Sequence, residues 1–152
     1  MRVLEQKKIA YTAHTYPHEE GVAVDGVTVA KSMGFDPAIV FKTVVARGAS
    51  KQYYVFDVPV AENLDLKKAA KAVGEKSIEM IHQKELLPLT GYVHGGCSPV
   101  GMKKLFPTVF HETAENLETM IVSAGKIGYQ VELAPRDLAA LVRAKFADII
   151  VE

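Results

Sequence analysis

The chain has 152 residues, 49% of them hydrophobic and 24% charged, the composition of an ordinary globular protein long enough to bury a core. Eighteen basic residues balance eighteen acidic ones, which argues against DNA and against an extended nucleic-acid clamp but allows one local contact with a nucleic-acid end. A single cysteine excludes an internal disulfide, no apolar run approaches the roughly 18 residues of a membrane span, and Met1–Lys8 carries no signal-peptide pattern, so a cytoplasmic protein without a membrane partner is expected.

No linker, repeat or low-complexity run divides residues 1–152, so one domain is expected. Val3, Leu4, Lys7 and Ile9 predict a short first helix, followed by a strand over 10–16 that Pro17 ends. Residues 18–26 hold acids and glycines with little periodicity and read as a surface loop. A helix is expected over 27–33 with Gly34 at its end, and Asp36 with Pro37 caps a further turn. The β-branched run 42–47, a turn at Gly48–Ser50 and a strand over 53–58 predict a hairpin. Asp65 is an N-cap for a helix over 66–73 that ends at Gly74. A short helix over 82–87 is expected to stop at Pro88. Strands are expected over 108–111, 119–123 and 128–133. Pro135 opens a helix that places Leu138, Leu141, Val142 and Phe146 on one face, and residues 148–151 return to the sheet. The strands come mostly in hairpin order, which predicts a mixed or antiparallel sheet rather than a doubly wound one.

The stretch Gly95-Gly96-Cys97-Ser98-Pro99-Val100-Gly101 stands out. Paired glycines let backbone approach a ligand, and successive N–H groups in such a turn cradle an anion or a carbonyl oxygen. His94 and Cys97 are three residues apart, a spacing open to a nucleophilic pair or to a buried cysteine used as apolar filler. The five histidines lack close metal-ligand spacing, so no metal and no other cofactor is expected. The loop matches neither a Walker loop nor a dinucleotide fingerprint. Lys67, Lys68 and Lys71 read as a solvated helix face, whereas Lys103 and Lys104 follow the glycine loop and suit a phosphate better. Lys42 opens an apolar strand and either snorkels to the surface or points into a pocket. Ser123-Ala-Gly-Lys-Ile-Gly128 is either an ordinary hairpin turn or a second pocket-lining loop.

Several of these stretches together resemble the YbaK/EbsC proteins. They are Phe41-Lys42-Thr43, Asp65-Leu-Lys-Lys-Ala-Ala-Lys71, Gly91 to Gly101, Lys103-Lys104, Pro107-Thr108, Ser123-Ala-Gly-Lys126 and Lys145-Phe-Ala-Asp148, in order and nearly end to end. These proteins are free-standing Cys-tRNA(Pro) deacylases, related to the editing domain inserted in bacterial prolyl-tRNA synthetases. The resemblance implies one α/β domain with a mixed, partly barrel-like sheet flanked by helices. It implies a trans-editing hydrolase that clears mischarged aminoacyl-tRNA, because a pocket sorting ligands of similar size discriminates poorly. The expected partners are the aminoacyl-tRNA acceptor end and prolyl-tRNA synthetase.

By the same resemblance Lys42 is the catalytic residue, holding the ester carbonyl or the terminal phosphate. Tyr16, Thr43, Gly95, Gly96, Ser98, Ser123 and Gln130 are the expected substrate-binding residues. The implied mechanism is substrate-assisted: the cysteinyl thiol attacks its own ester carbonyl and expels the tRNA 3′-hydroxyl, while the protein positions the groups. Two positions depart from some members, which carry an aromatic residue at Asp25 and an acid at Gln130; Gly128-Tyr129-Gln130 resembles the EbsC branch instead. The aminoacyl group is therefore cysteine, or alanine or another small amino acid. The alternative from a different class is a non-catalytic module that binds an aminoacyl-tRNA end or the synthetase.

Overall fold

The computed structural model describes residues 2–17 and 25–152. Two sheets carry the architecture. The smaller is antiparallel, in the order β1(Thr12–Thr15), β7(Tyr129–Leu133), β6(Met120–Ser123). The larger has the order β4(Ile78–Met80), β2(Phe41–Gly48), β3(Tyr53–Pro59), β5(Thr108–His111), β8(Lys145–Ala147). It is mixed, because β3–β5 and β5–β8 run parallel while β2 pairs antiparallel with β3 and β4. The sheets meet through a parallel bridge between Val40 and Ile121. This is the expected mixed α/β fold, joined at one seam rather than closed into a barrel.

Among the described residues five helices flank the sheets: α1(Arg2–Gln6), α2(Gly26–Ser32), α3(Leu66–Val73), α4(Gln83–Thr90) and α5(Pro135–Val142). Their ends follow local chemistry. Asp65 accepts from the Lys67 and Lys68 N–H groups at 2.9 and 3.0 Å, and Gly74 closes α3 at φ 74°, both as predicted. Asp25 likewise caps α2 through the Thr28 N–H. The loop expected over 18–26 lies largely outside the described residues, and Gly26 already belongs to α2.

Three expectations are corrected. First, α4 runs through Pro88 to Thr90. Proline forgoes one N–H bond there, and it is Gly91, at φ 87° with its N–H on the Leu87 carbonyl, that ends the helix. Second, α5 stops at Val142 because Arg143 turns left-handed at φ 58°, so Phe146 lies on β8 and not on the helix face. The return to the sheet therefore comes at 145–147, and Ile150 makes only an isolated bridge with Leu64. Third, strand β4 and a 3₁₀ turn over Glu112–Asn116 were not expected.

The larger sheet is packed on both faces. One cluster joins Leu4, Phe41, Phe110, Met120, Leu133, Leu138 and Val142, and so fastens α1, α5 and the smaller sheet to it. The other joins Phe56, Val58, Val109 and Ile149 to Ala69 and Ala70 of α3, whose small side chains let the helix sit close. Phe56 and Phe110 are fully buried, each contributing on the order of 2–3 kcal/mol of transfer free energy. A third cluster of Val45, Val55, Leu86, Cys97 and Phe106 anchors α4 and the glycine loop against β2 and β3. That cluster is what positions the site.

Candidate functional site

A cleft of about 690 Å³ opens beside the seam between the sheets. Lys42 to Val45 of β2 line one side and Tyr16, Ser123 and Gln130 the other. Ser123 and Gln130 are cross-strand partners, and the Tyr16 N–H bonds the Gly128 carbonyl at 2.8 Å, so the end of the smaller sheet presents all three together. Met80, His82, Gln83 and Leu86 close a third side, and His94, Gly95 and Cys97 of the glycine loop a fourth.

Strand β2 faces the cleft with an unpaired edge. Val60 N–H bonds Val40 C=O and Gly48 N–H bonds Gln52 C=O, each at 2.8 Å, and the register between them is unbroken. Antiparallel alternation then sends the peptide groups of even-numbered residues to β3 and those of Thr43 to the opposite edge. Strand β4 covers that edge only from Ala46 onward. The N–H and C=O of Thr43 thus point at the cleft.

Lys42 is partly buried in this wall. Burial lowers its pKa, while the charges of Asp25 and Glu62 oppose the change. Asp25 lines the same cleft. Gln130 is buried, and its Oε1 has no hydrogen-bond partner among the described residues. A buried carboxamide left open beside a cleft is a ready acceptor for a ligand's N–H or ammonium group.

The glycine loop divides the expected residues. Gly95 lines the cleft in a left-handed turn at φ 87°. Gly96 and Ser98 are not among the lining residues. A Cβ on Gly96 would stand 3.0 Å from the Ile127 nitrogen and 3.2 Å from Lys126 backbone atoms, so its missing side chain serves packing between two loops. Ser98 is fully buried, and its Oγ accepts the Val100 N–H at 3.2 Å. Tyr92 locks the same loop by donating its hydroxyl to the Val100 carbonyl. Cys97 is buried in the third cluster; burial, then the charge of Asp57, pushes its thiol up to about 12. A thiol held there is almost never thiolate, so it acts as apolar filler.

Sequence reasoning missed Asp57. It sits on β3 directly opposite Thr43 and is fully buried. The Thr43 hydroxyl donates to its Oδ1 at 2.5 Å, and its Oδ2 has no partner among the described residues. Burial raises its pKa from 3.8 to about 7, against the opposing Thr43 hydrogen bond. The signal was present as a lone acid in the apolar strand Tyr53-Tyr-Val-Phe-Asp-Val58. No group of three or more His, Cys, Asp or Glu side chains able to hold a metal occurs among the described residues, and no helix among them is long and apolar enough to cross a membrane.

Comparison with known proteins adds family and fold. A family model described as an aminoacyl-tRNA editing domain matches residues 21–141. A protein of Enterococcus faecalis (strain ATCC 700802 / V583), provisionally named Cys-tRNA(Pro)/Cys-tRNA(Cys) deacylase EbsC, is 44% identical over 149 residues, covering 98% of this chain and 90% of its own length. Among solved structures, a protein provisionally described as a trans-editing enzyme for prolyl-tRNA synthetase superposes with a TM-score of 0.82 at 24% identity, over 98% of this chain and 92% of that one. A hypothetical protein superposes with a TM-score of 0.86 at 17% identity, over 99% and 97% of the two chains. These two likenesses establish the fold.

Proposed function

The chain belongs to the aminoacyl-tRNA editing domain family, and on that premise we propose that it is a trans-editing deacylase that hydrolyses mischarged aminoacyl-tRNA, with Cys-tRNA(Pro) as substrate. The name of the 44% identical relative supports this substrate. The observation that carries the reading is the convergence of Lys42, Tyr16, Thr43, Gly95, Ser123 and Gln130 on one cleft. Its size lies within the range of about 300–1,000 Å³ usual for small-ligand sites.

In this reading Lys42 is the electrostatic centre. Its ammonium, drawn partly out of water, stabilises negative charge developing on the ester carbonyl oxygen or held by the terminal phosphate. Gly95 lets backbone approach the ribose and the aminoacyl group, Gln130 Oε1 accepts from the α-ammonium, and Tyr16 and Ser123 contribute hydroxyls. Gly96 and Ser98 shape the loop that carries Gly95. The substrate's thiol attacks its own ester carbonyl and the tRNA 3′-oxygen leaves. Cys97, buried with its thiol held protonated, is compatible with chemistry whose nucleophile belongs to the substrate.

The balanced net charge gives the chain little electrostatic hold on a tRNA body. Prolyl-tRNA synthetase, supplying most of the phosphate contacts, is the partner this reading calls for, and the cytoplasm is where the two would meet. Lys42→Ala tests the assignment. The wild type should shorten the lifetime of Cys-tRNA(Pro), and the variant should lose that activity while its circular dichroism is unchanged. Full activity in Lys42→Ala would remove the residue from the mechanism.

A further inference from the structure

A buried carboxyl directly behind a cleft wall, hydrogen-bonded to a cleft-lining hydroxyl and otherwise unsatisfied among the described residues, calls for an explanation that packing does not supply. Asp57 lies on a strand whose neighbours Val55, Phe56 and Val58 are all buried and apolar. Its Oδ1 accepts the Thr43 hydroxyl with 2.5 Å between the two oxygens, which leaves the lone pairs of Thr43 Oγ1 without a donor among the described residues. Thr43 lines the cleft, and direct cross-strand partners share one face of a sheet. The pair therefore links the cleft to a buried acid through one hydroxyl.

We propose that Thr43 and Asp57 form the proton relay that deprotonates the substrate's thiol, Thr43 being the catalytic contact and Asp57 the positioning residue that receives the proton. This rests on the editing function proposed above, and it names the base that function needs. The substrate S–H proton passes to Thr43 Oγ1 as the Thr43 hydroxyl proton passes to Asp57 Oδ1. The sulfur forms its bond to the carbonyl carbon, and the bond from that carbon to the tRNA 3′-oxygen breaks, which frees the tRNA and a cyclic thioester of cysteine that water then opens to cysteine. The leaving oxygen takes a proton from the Lys42 ammonium. Asp57 afterwards returns its proton through Thr43 to solvent in the cleft, from which Lys42 is reprotonated.

The surroundings suit this role. Burial brings Asp57 to about 7, and a base serves best when its pKa lies near the working pH. The titratable group facing it from the glycine loop is Cys97, whose thiol stays protonated. From β5 its register partner is Phe110, which carries no charge. Lys42 and Asp25 line the same cleft as Thr43, but what acts on the Asp57 carboxyl is burial and the Thr43 hydrogen bond, not the charge of either.

The test is the pH profile of single-turnover loss of the aminoacyl ester from Cys-tRNA(Pro), corrected for spontaneous hydrolysis, over pH 5.5–9.5. The wild-type rate should rise with pH and level off near 7. Asp57→Asn should be slower by about 100-fold near pH 6.5, should level off only near the thiol's own pKa of about 8.5, and should approach the wild type at pH 9. Thr43→Ser should keep the wild-type profile, and Thr43→Val should copy Asp57→Asn. A wild-type profile in folded Asp57→Asn would overturn the relay, as would an equal loss at every pH, the mark of a purely structural role. Should Asp57→Asn fail to fold, Thr43→Val with an unshifted profile overturns it equally. A wild type inert toward Cys-tRNA(Pro) at every pH would instead overturn the editing function, and the relay with it.

Discussion

Replacing Asp57 by asparagine should change how stability depends on pH. In the folded chain burial raises this carboxyl from 3.8 to about 7; unfolded, it ionises near its ordinary value of about 3.9. Between those values the unfolded chain has released a proton that the folded chain keeps. The part of the stability that Asp57 governs therefore falls as pH rises from about 4 to about 7 and is level beyond. About three pH units at ~1.4 kcal/mol each make the full loss about 4 kcal/mol. For a chain of this length that is on the order of 10 °C in melting temperature. Asparagine keeps the acceptor for Thr43 and carries no charge, so its contribution should not vary with pH. His111 acts in the opposite sense: burial lowers its pKa, so its contribution is lost as pH falls below about 6.5. Asparagine at position 57 leaves that histidine in place, and the difference between the two proteins removes its effect. Urea denaturation of wild type and variant from pH 4 to 8.5 should show the variant gaining steadily on the wild type. Parallel curves would refute the buried, titrating carboxyl. With the relay, the same substitution stabilises the protein at pH 8 and slows it near neutrality, as expected where a site holds a group at a cost to the fold.

Two further substitutions probe the glycine loop. Gly96→Ala should cost about 1–3 kcal/mol, because the new methyl would press on the backbone of Lys126 and Ile127; thermal melting reads it, and an unchanged melting temperature would contradict the close packing. Cys97→Ser should leave deacylation nearly unaltered. A large loss in a folded Cys97→Ser protein would make the thiol a nucleophile after all.

Local chemistry made much of the fold legible. Asp65 and Gly74 bound α3 because a carboxylate cap and a left-handed glycine are short-range devices. The β2–β3 hairpin follows from two β-branched and aromatic runs around a tight turn. What escaped depends on distant partners or on single backbone angles. Strand β4 is three residues long and exists through its pairing with Ala46–Gly48. The end of α5 hangs on one left-handed arginine, which no propensity favours. At the site, Lys42, Gly95, Ser123 and Gln130 all line the one cleft. Gly96 and Ser98 belong to the same motif but serve the loop, a distinction visible only once the Lys126–Ile127 backbone is seen against it. Asp57 went unread because its meaning comes from Thr43, fourteen residues away in sequence and directly opposite in the sheet.

The most direct measurement incubates the purified protein with Cys-tRNA(Pro), Ala-tRNA(Pro) and Pro-tRNA(Pro), with and without prolyl-tRNA synthetase, and follows the aminoacyl ester. Selective loss of the cysteinyl ester is the predicted result, since only that substrate carries its own thiol. Faster loss of the alanyl ester would contradict thiol-assisted chemistry and require attack by water. Survival of all three esters, with the synthetase present as well, would contradict the editing function and leave a binding module in its place.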